Sequence, residues 1–369
     1  MNTVVQFSRR HFLTQASYLS AFCGIAGSIP LAGLGASLSD DSRISTTPII
    51  DVGFASVRKV GEGAYATISD TSKGLRTMCN GGFVAGKDAA LLIEGFVSAN
   101  GAAFQMQALR SVSRVVAAGA LDTHYHYDHS SGNSFYGANG IQLWGHVAVG
   151  KRITESYQTM QFAEKSAILG PYNKRLQEAK SDVIKQHAQS DVNAVSGIVD
   201  IIKKTTLTLP NRPLEPAKLP LNVDLGGYPI VIEHFPGHSG TDLIVHVPEQ
   251  KVVYTGDLLF NSMYPVCFDE KATVSGWRAT LKTFASYDKD TIFVPGHGQI
   301  CGQEGVALLR SVFDDLSEQA EKMHESGVPV TDAADQYVVP EKFKALGMWA
   351  WGFTIGSAIT KLYAELGAK

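Results

Sequence analysis

The stretch DTHYHYDHSSGN, residues Asp122–Asn133, places three histidines and one aspartate within six consecutive positions. The hydrophobic run RVVAAGAL leads directly into it and predicts a buried β-strand that ends at this cluster. In an extended chain, side chains two residues apart point the same way, so His124 and His126 can bind one ion. Asp128 and His129 can face a neighbouring ion. Because imidazole and carboxylate groups are zinc ligands, the stretch predicts a metal site at the end of a strand.

Three further motifs with the same residue types follow strand-like segments later in the chain. They are PGHSGTD (Pro236–Asp242), TGDLLF (Thr255–Phe260) and PGHG (Pro295–Gly298). Each places a His or Asp beside glycine, which permits tight turns and lets the backbone approach a site closely. We expect His238 to complete the ligands of the first ion and His297 to join Asp128 and His129 on the second. Asp257 is placed to bridge the two ions.

The order HxHxDH…H…D…H resembles the metallo-β-lactamase-fold superfamily over roughly residues 61–298. The segment NGGFVAGKDAALLIEGF resembles the early strands of that family, although Glu94 stands where an aspartate is usual. The resemblance implies an α/β fold, a four-layer αβ/βα sandwich of two β-sheets flanked by helices. It also implies two zinc ions per chain, with Asp128 and Asp257 as catalytic carboxylates. The implied ligands are His124, His126 and His238 for one ion and Asp128, His129 and His297 for the other, with Asp257 between them.

Composition divides the rest of the chain into segments. Short runs rich in β-branched residues, cut by Gly and Asp, predict two series of strands. Between them, residues 148–208 alternate charged, alanine and apolar residues at helical spacing, which predicts a helical insertion. The predicted divisions are a signal segment at 1–36, a lead-in at 37–56, a catalytic domain at 57–300 that contains the insertion, and a helical extension at 301–369 packed on that domain.

The N-terminus carries an export pattern. SRRHFLT (Ser8–Thr14) is a twin-arginine pair followed by Phe and Leu, and a Gly/Ala-rich apolar stretch continues to Ala36. This pattern resembles a Tat signal. Pro30 and several glycines interrupt the apolar stretch, which makes it a poor transmembrane helix. We therefore expect a periplasmic protein that the Tat machinery exports, with no stable membrane span after cleavage near Ala36.

Charge and cysteine content narrow the function classes. Charged residues make up 18% of the chain, the formal net charge is −3, and no basic face stands out, which disfavours a nucleic-acid partner. The mature chain has three cysteines, Cys79, Cys267 and Cys301, too few for a disulfide framework, and a single pair remains open. The aromatic segment GMWAWGF (Gly347–Phe353) is predicted to pack between helices, with substrate binding as the alternative.

The predicted function is that of an exported zinc-dependent hydrolase acting on a small molecule. Metal binding can lower the pKa of water to about 7, which supplies hydroxide to attack an amide or ester. Hydrolysis of a β-lactam ring is the leading specific hypothesis, because β-lactams meet their targets in the periplasm. Asp257 argues the other way, since the best-known zinc β-lactamases have cysteine there. The alternatives are an exported lactonase, thioesterase or sulfatase-like hydrolase and, in another class, a periplasmic metal-binding accessory protein of a redox pathway.

Overall fold

Residues 41–367 are described by a computed structural model and contain thirteen β-strands in two sheets. The first sheet contains β1 (Ile50–Asp51), β2 (Ala55–Gly61), β3 (Ala64–Ser69), β4 (Gly81–Ala85), β5 (Ala89–Ile93), β6 (Val116–Leu121), β7 (Leu143–His146) and β8 (Arg212–Leu214), in that order. The second contains β9 (Leu221–Asp224), β10 (Pro229–His234), β11 (Leu243–Val247), β12 (Val252–Phe260) and β13 (Ile292–His297), also adjacent in chain order.

Eleven α-helices are found in the same residues, and they cover the outer faces of the sheets. They are α1 (Ala99–Val112), α2 (Tyr127–Ser130), α3 (Asn133–Ala138), α4 (Val149–Ile153), α5 (Thr159–Phe162), α6 (Lys165–Gln177), α7 (Asp182–Ile202), α8 (Val274–Phe284), α9 (Gln303–Glu325), α10 (Val330–Gln336) and α11 (Ser357–Leu366). Helices α4–α7 occupy the predicted insertion, and α9–α11 occupy the predicted C-terminal extension. Two π-helical segments, Thr154–Gln158 and Gly352–Gly356, continue α4 and precede α11.

Strand direction explains where the helices are. In the first sheet β1–β5 are antiparallel, whereas β5, β6, β7 and β8 run parallel. A parallel pair needs a crossover, and α1 supplies it between β5 and β6. In the second sheet only β12 and β13 are parallel, and α8 lies between them in sequence. Each sheet therefore has one face against the other sheet and one face under helices.

Three hydrophobic cores fill the spaces between these layers. The central core joins both sheets and includes Val60, Leu91, Ile230 and Tyr254. A second core lies between the first sheet and helices α1 and α3. The third lies between the second sheet and helices α8, α9 and α11, around Trp277. The four-layer αβ/βα sandwich predicted from the sequence is therefore confirmed.

Three local features differ from the sequence prediction. The segment Leu209–Pro220, whose four prolines predict a loop, contains β8, because Pro213 is tolerated in a strand at the edge of its sheet. The predicted lead-in contains β1, which pairs with β2, and β2 itself begins at Ala55. The histidine cluster is not an extended segment, since Thr123 and His124 lie in a bend and Asp128 and His129 lie in the short helix α2.

Two predictions, one on membrane-spanning helices and one on the cysteines, can be compared with the described residues. Within residues 41–367 no helix is both long and apolar enough to cross a membrane. The three cysteines of this part of the chain, Cys79, Cys267 and Cys301, are buried free thiols. The predicted signal segment, with its twin arginines, lies outside the described residues.

Candidate metal centre

The predicted ligands converge at one end of the sandwich, where the two sheets meet. The first sheet supplies the histidine cluster, which follows β6 directly. The second sheet supplies one ligand from the β10–β11 turn, one from within β12 and one from the last residue of β13. All seven side chains lie in two groups of potential ligand atoms. These side chains are His124, His126, Asp128, His129, His238, Asp257 and His297.

The first group brings three imidazoles and one carboxylate to a common point. His126 Nδ1 lies 3.0 Å from His124 Nε2 and 2.8 Å from His238 Nε2. Asp257 Oδ2 lies 3.8 Å from His124 Nε2 and 3.4 Å from His238 Nε2. Ring nitrogens this close can be joined by N–H···N hydrogen bonds or held by a cation that faces their lone pairs. One cation at this point satisfies all four atoms.

The second group is built around the other oxygen of the same carboxylate. Asp257 Oδ1 lies 3.2 Å from His129 Nε2 and 3.4 Å from His297 Nε2. Asp128 Oδ2 lies 3.5 Å from His129 Nε2 and 3.1 Å from His297 Nε2. Asp257 therefore presents Oδ2 to one group and Oδ1 to the other, as predicted for a bridging ligand.

The residues present fit two divalent cations. His129 Nε2 and Asp257 Oδ1 are buried and have no hydrogen-bond partner. Such atoms destabilise a fold unless something else satisfies them, and a cation beside both does so. The donor atoms are nitrogen and oxygen without thiolate, a set that suits zinc in an open site. Burial also lowers the pKa of His238 to about 3, which keeps its imidazole neutral for metal binding.

The pKa values of side chains in the second ligand group also favour positive charge beside the carboxylates. Although burial opposes it, the neighbouring carboxylates of Asp257 and Asp128 raise the pKa of His297 to about 9. The pKa of Asp257 lies well below its usual value, because the surrounding imidazoles outweigh the effect of burial. Protons on histidine thus balance the buried carboxylates, and a bound dication would replace those protons.

Two glycines allow the bridging carboxylate to reach this position. Gly256 has a positive φ of 50°, and the pairing of β12 with β13 shifts register there, so the strand bulges just before Asp257. A Cβ atom on Gly256 would lie 2.4 Å from Thr123 Oγ1. On β13, a Cβ atom on Gly296 would lie 2.0 Å from Asp257 Oδ1. The glycines of TGDLLF and PGHG are therefore needed for close approach, as the motifs suggested.

Glu94 supports ligands of both ions. Thr123 Oγ1 donates to Glu94 Oε1 at 2.6 Å and lies 3.1 Å from His124 Nδ1. The same Glu94 oxygen lies 3.2 Å from His129 Nδ1. One buried carboxylate thus lies within ion-pair distance of a histidine of one group and reaches a histidine of the other through Thr123, the usual place of a residue behind a metal ligand.

Two further contacts to ligand histidines, from Val266 and Asp269, were not predicted from the sequence. His238 Nδ1 lies 2.8 Å from the carbonyl oxygen of Val266. Asp269 Oδ2 lies 3.8 Å from His126 Nε2 and accepts hydrogen bonds from Tyr125 and Arg152. Val266 and Asp269 lie in the loop after β12, which carries no motif, so no local signal in the sequence identifies them.

The comparisons with known proteins agree with this geometry. The sequence model of the metallo-beta-lactamase superfamily matches residues 74–297, which include all seven predicted ligands. No curated protein matches the sequence. A solved structure of a double mutant of the sec-alkyl sulfatase PisA1 superposes with a TM-score of 0.56 at 16% sequence identity. That match covers 85% of this chain and 50% of the sulfatase chain, so this chain spans half the sulfatase's length, and the likeness concerns the fold.

Gly296→Ala should disrupt the metal centre, because its methyl group would collide with the Asp257 carboxylate. We expect the zinc content of the variant, measured by elemental analysis, to fall by about one ion per chain or more. Gly170→Ala is the matched control, since nothing lies within 4 Å of the added Cβ atom there. Full zinc occupancy in Gly296→Ala would contradict the close approach.

Glu94→Gln should weaken metal binding while it preserves side-chain size. Loss of the negative charge removes the ion-pair partner of His129 and weakens the acceptor for Thr123, so affinity for zinc should fall about 10- to 100-fold. Competition with a chromophoric chelator measures this affinity. Glu233→Gln, on β10 and 3.9 Å from His246, is the control. Equal zinc affinities in the two variants would show that Glu94 does not support the ligands.

Proposed function

Because this chain belongs to the metallo-β-lactamase superfamily, whose sequence model matches residues 74–297, we propose that it is a hydrolase with a two-zinc site. The position of Asp257 carries the proposal. Its two carboxylate oxygens face two separate groups of ligand atoms. A single carboxylate between two sets of three side chains is suited to hold two cations side by side.

The ligands have distinct roles in this proposal. Two bound zinc ions would lower the pKa of water and polarise the bond to be cleaved. His124, His126 and His238 would hold the first ion, and Asp257 would help to hold both. The side chains of His297 and Asp128 are 17% and 9% exposed, the highest values among these residues. The substrate and the attacking water therefore reach the centre from this side, where Asp128 can accept a hydrogen bond from that water.

The thiols near the centre are not suited to nucleophilic catalysis. Burial raises the pKa of Cys79, Cys267 and Cys301. Cys79 is the one in contact with a ligand residue, and its Sγ donates to the carbonyl oxygen of Asp128 at 3.0 Å. A buried, protonated thiol that already donates a hydrogen bond is inert. This supports direct attack by water, without a covalent cysteine intermediate.

The substrate is proposed to be a small molecule with an activated amide or ester bond, with the β-lactam ring as the first to test. A site that polarises a carbonyl group between two ions suits a strained cyclic amide. The fold also resembles that of a sec-alkyl sulfatase, which makes sulfate esters the second candidate. Lactones and thioesters complete the set. A metal-binding accessory protein would bind zinc and hydrolyse none of these compounds.

The test of this function compares zinc-loaded protein with chelator-treated protein on nitrocefin, a lactone, a thioester and an aryl sulfate. We expect hydrolysis of at least one substrate, its loss on chelation and its return with zinc. Asp257→Ala should lower kcat by about 100-fold or more, because it removes the group that positions both ions. In Asp200→Ala, which changes an exposed aspartate on the insertion, kcat should be unchanged.

The outcomes separate the candidates. Nitrocefin hydrolysis that persists partly in Asp257→Cys would support a β-lactamase, since that variant has the ligand of the best-known enzymes of this kind. Two bound zinc ions with no turnover of any compound would favour the accessory protein. A fully active Asp257→Ala variant would contradict the bridging role.

We also propose that the Tat machinery exports the protein to the periplasm. Arg9 and Arg10 are followed by an apolar stretch, and a folded metal enzyme is a suitable cargo for that pathway. Replacing both arginines with lysine should retain the protein in the cytoplasm, because the pathway recognises the arginine pair. Cell fractionation with an antibody measures this. Unchanged export of the double variant would overturn the assignment.

A further inference from the structure

An aromatic surface begins at the metal centre and extends away from it. We define the aromatic wall as Tyr172, Phe268, Trp349 and Phe353. The ring of Phe268 stacks on the ligand His126, with centroids 4.9 Å apart and an angle of 20° between the planes. Phe268 is nevertheless 38% exposed, so its other side faces open space. A large apolar side chain in this position lies within reach of a molecule bound at the metals.

The wall continues through three rings from the insertion and the C-terminal extension. Phe353 meets Phe268 edge-on at 5.2 Å and lies 5.1 Å from Trp349. Tyr172 of α6 stacks on Phe353 at 6.4 Å, with an angle of 11°. Trp349, Phe353 and Tyr172 are all half-buried. The exposed apolar surface is therefore continuous from a metal ligand to the helical insertion, unlike a set of isolated surface side chains.

Backbone and ring contacts hold this surface in place. The amide of Cys267 donates to the carbonyl oxygen of Phe353 at 3.1 Å, which ties the Phe268 loop to the π-helical segment. Trp351 stacks on His187 of α7 with ring centroids 3.5 Å apart. The amide of Gly352 donates to Asp191 Oδ1 at 2.7 Å. These contacts fix the chain on both sides of Phe353. Binding of an apolar group to this surface would therefore cost little side-chain conformational entropy.

Charge near the wall favours an uncharged ligand group. Arg152 donates to Asp269 at 2.8 Å, and Arg175 donates to Asp191 at 2.7 Å. Both guanidinium groups are thus neutralised by buried or nearly buried carboxylates. An anionic substituent would have to compete with these ion pairs, whereas an apolar substituent would not.

We infer that the aromatic wall binds a bulky, uncharged apolar substituent of the substrate while the bond to be cleaved lies at the metal centre. This inference rests on the proposed function and adds the substrate class. It also assigns a binding role to Trp349 and Phe353 of GMWAWGF, for which the sequence favoured helix packing. Trp351 of the same segment is buried and packs as expected.

Hydroxamic acids test this inference without depending on turnover, because the hydroxamate group binds zinc whatever the attached chain. The probes are acetohydroxamic acid, octanohydroxamic acid and a cationic analogue of similar length, 6-aminohexanohydroxamic acid. Calorimetry on zinc-loaded protein gives each Kd. We expect octanohydroxamate to bind about 10-fold or more tightly than acetohydroxamate, since each methylene group that leaves water adds affinity. The cationic analogue should gain less than about 3-fold.

The variants Phe353→Ala and, as a size-conserving change, Phe353→Leu identify the surface responsible. Both should reduce the ratio of the acetohydroxamate Kd to the octanohydroxamate Kd, the alanine variant most, while the zinc content confirms a folded centre. Tyr287→Ala is the control. This half-buried aromatic precedes β13, at the end of the strand opposite His297, and the variant should keep the wild-type ratio.

Two results would overturn the inference while the two-zinc hydrolase stands. They are a wild-type ratio near one and a ratio that is unchanged in Phe353→Ala. If acetohydroxamate itself fails to bind zinc-loaded protein, the metal centre is closed to ligands. That result would overturn the proposed function together with the inference.

Discussion

The structure depends on one buried carboxylate held between two groups of metal ligands. Asp257 is 5% exposed, and no hydrogen bond satisfies its Oδ1 atom. Four histidines, His124, His129, His238 and His297, lie 3.2–3.8 Å from its oxygens, and a second aspartate, Asp128, lies 3.1 Å from His297. Buried charges of this density persist only if they are paired, and two divalent cations would pair them in place of the histidine protons. Metal binding should therefore stabilise the folded chain as well as enable chemistry.

The four-layer fold makes this constraint possible, because each sheet supplies half of the centre. The first sheet ends in the histidine cluster, and the second supplies His238, Asp257 and His297. Neither half can bind two ions alone, so the site exists only where the sheets pack together. The loop after β12 adds Phe268 beside it, and the insertion and the C-terminal extension add the other three rings of the aromatic wall. The superfamily domain thus provides the metal chemistry, and the surrounding helices provide the surface that would select the substrate.

The sequence predicted the seven candidate ligands from local patterns, and it predicted the layer order through the family resemblance that those motifs carry. A strand followed by histidines, or a glycine beside an aspartate, can be recognised within a few residues. The features it missed depend on contacts between distant segments. Asp269 approaches His126 from a loop without a motif, and Phe353 meets Tyr172 of the insertion only after the chain has folded. Strand β8 was missed because Pro213 favours a loop unless the strand lies at an edge.

The most direct test of the two-ion centre is anomalous X-ray diffraction from zinc-loaded crystals, with data collected above and below the zinc absorption edge. We expect two anomalous peaks, one among His124, His126 and His238 and the other among Asp128, His129 and His297, with the Asp257 carboxylate between them. A single peak, or two peaks that both lie on one side of Asp257, would contradict it.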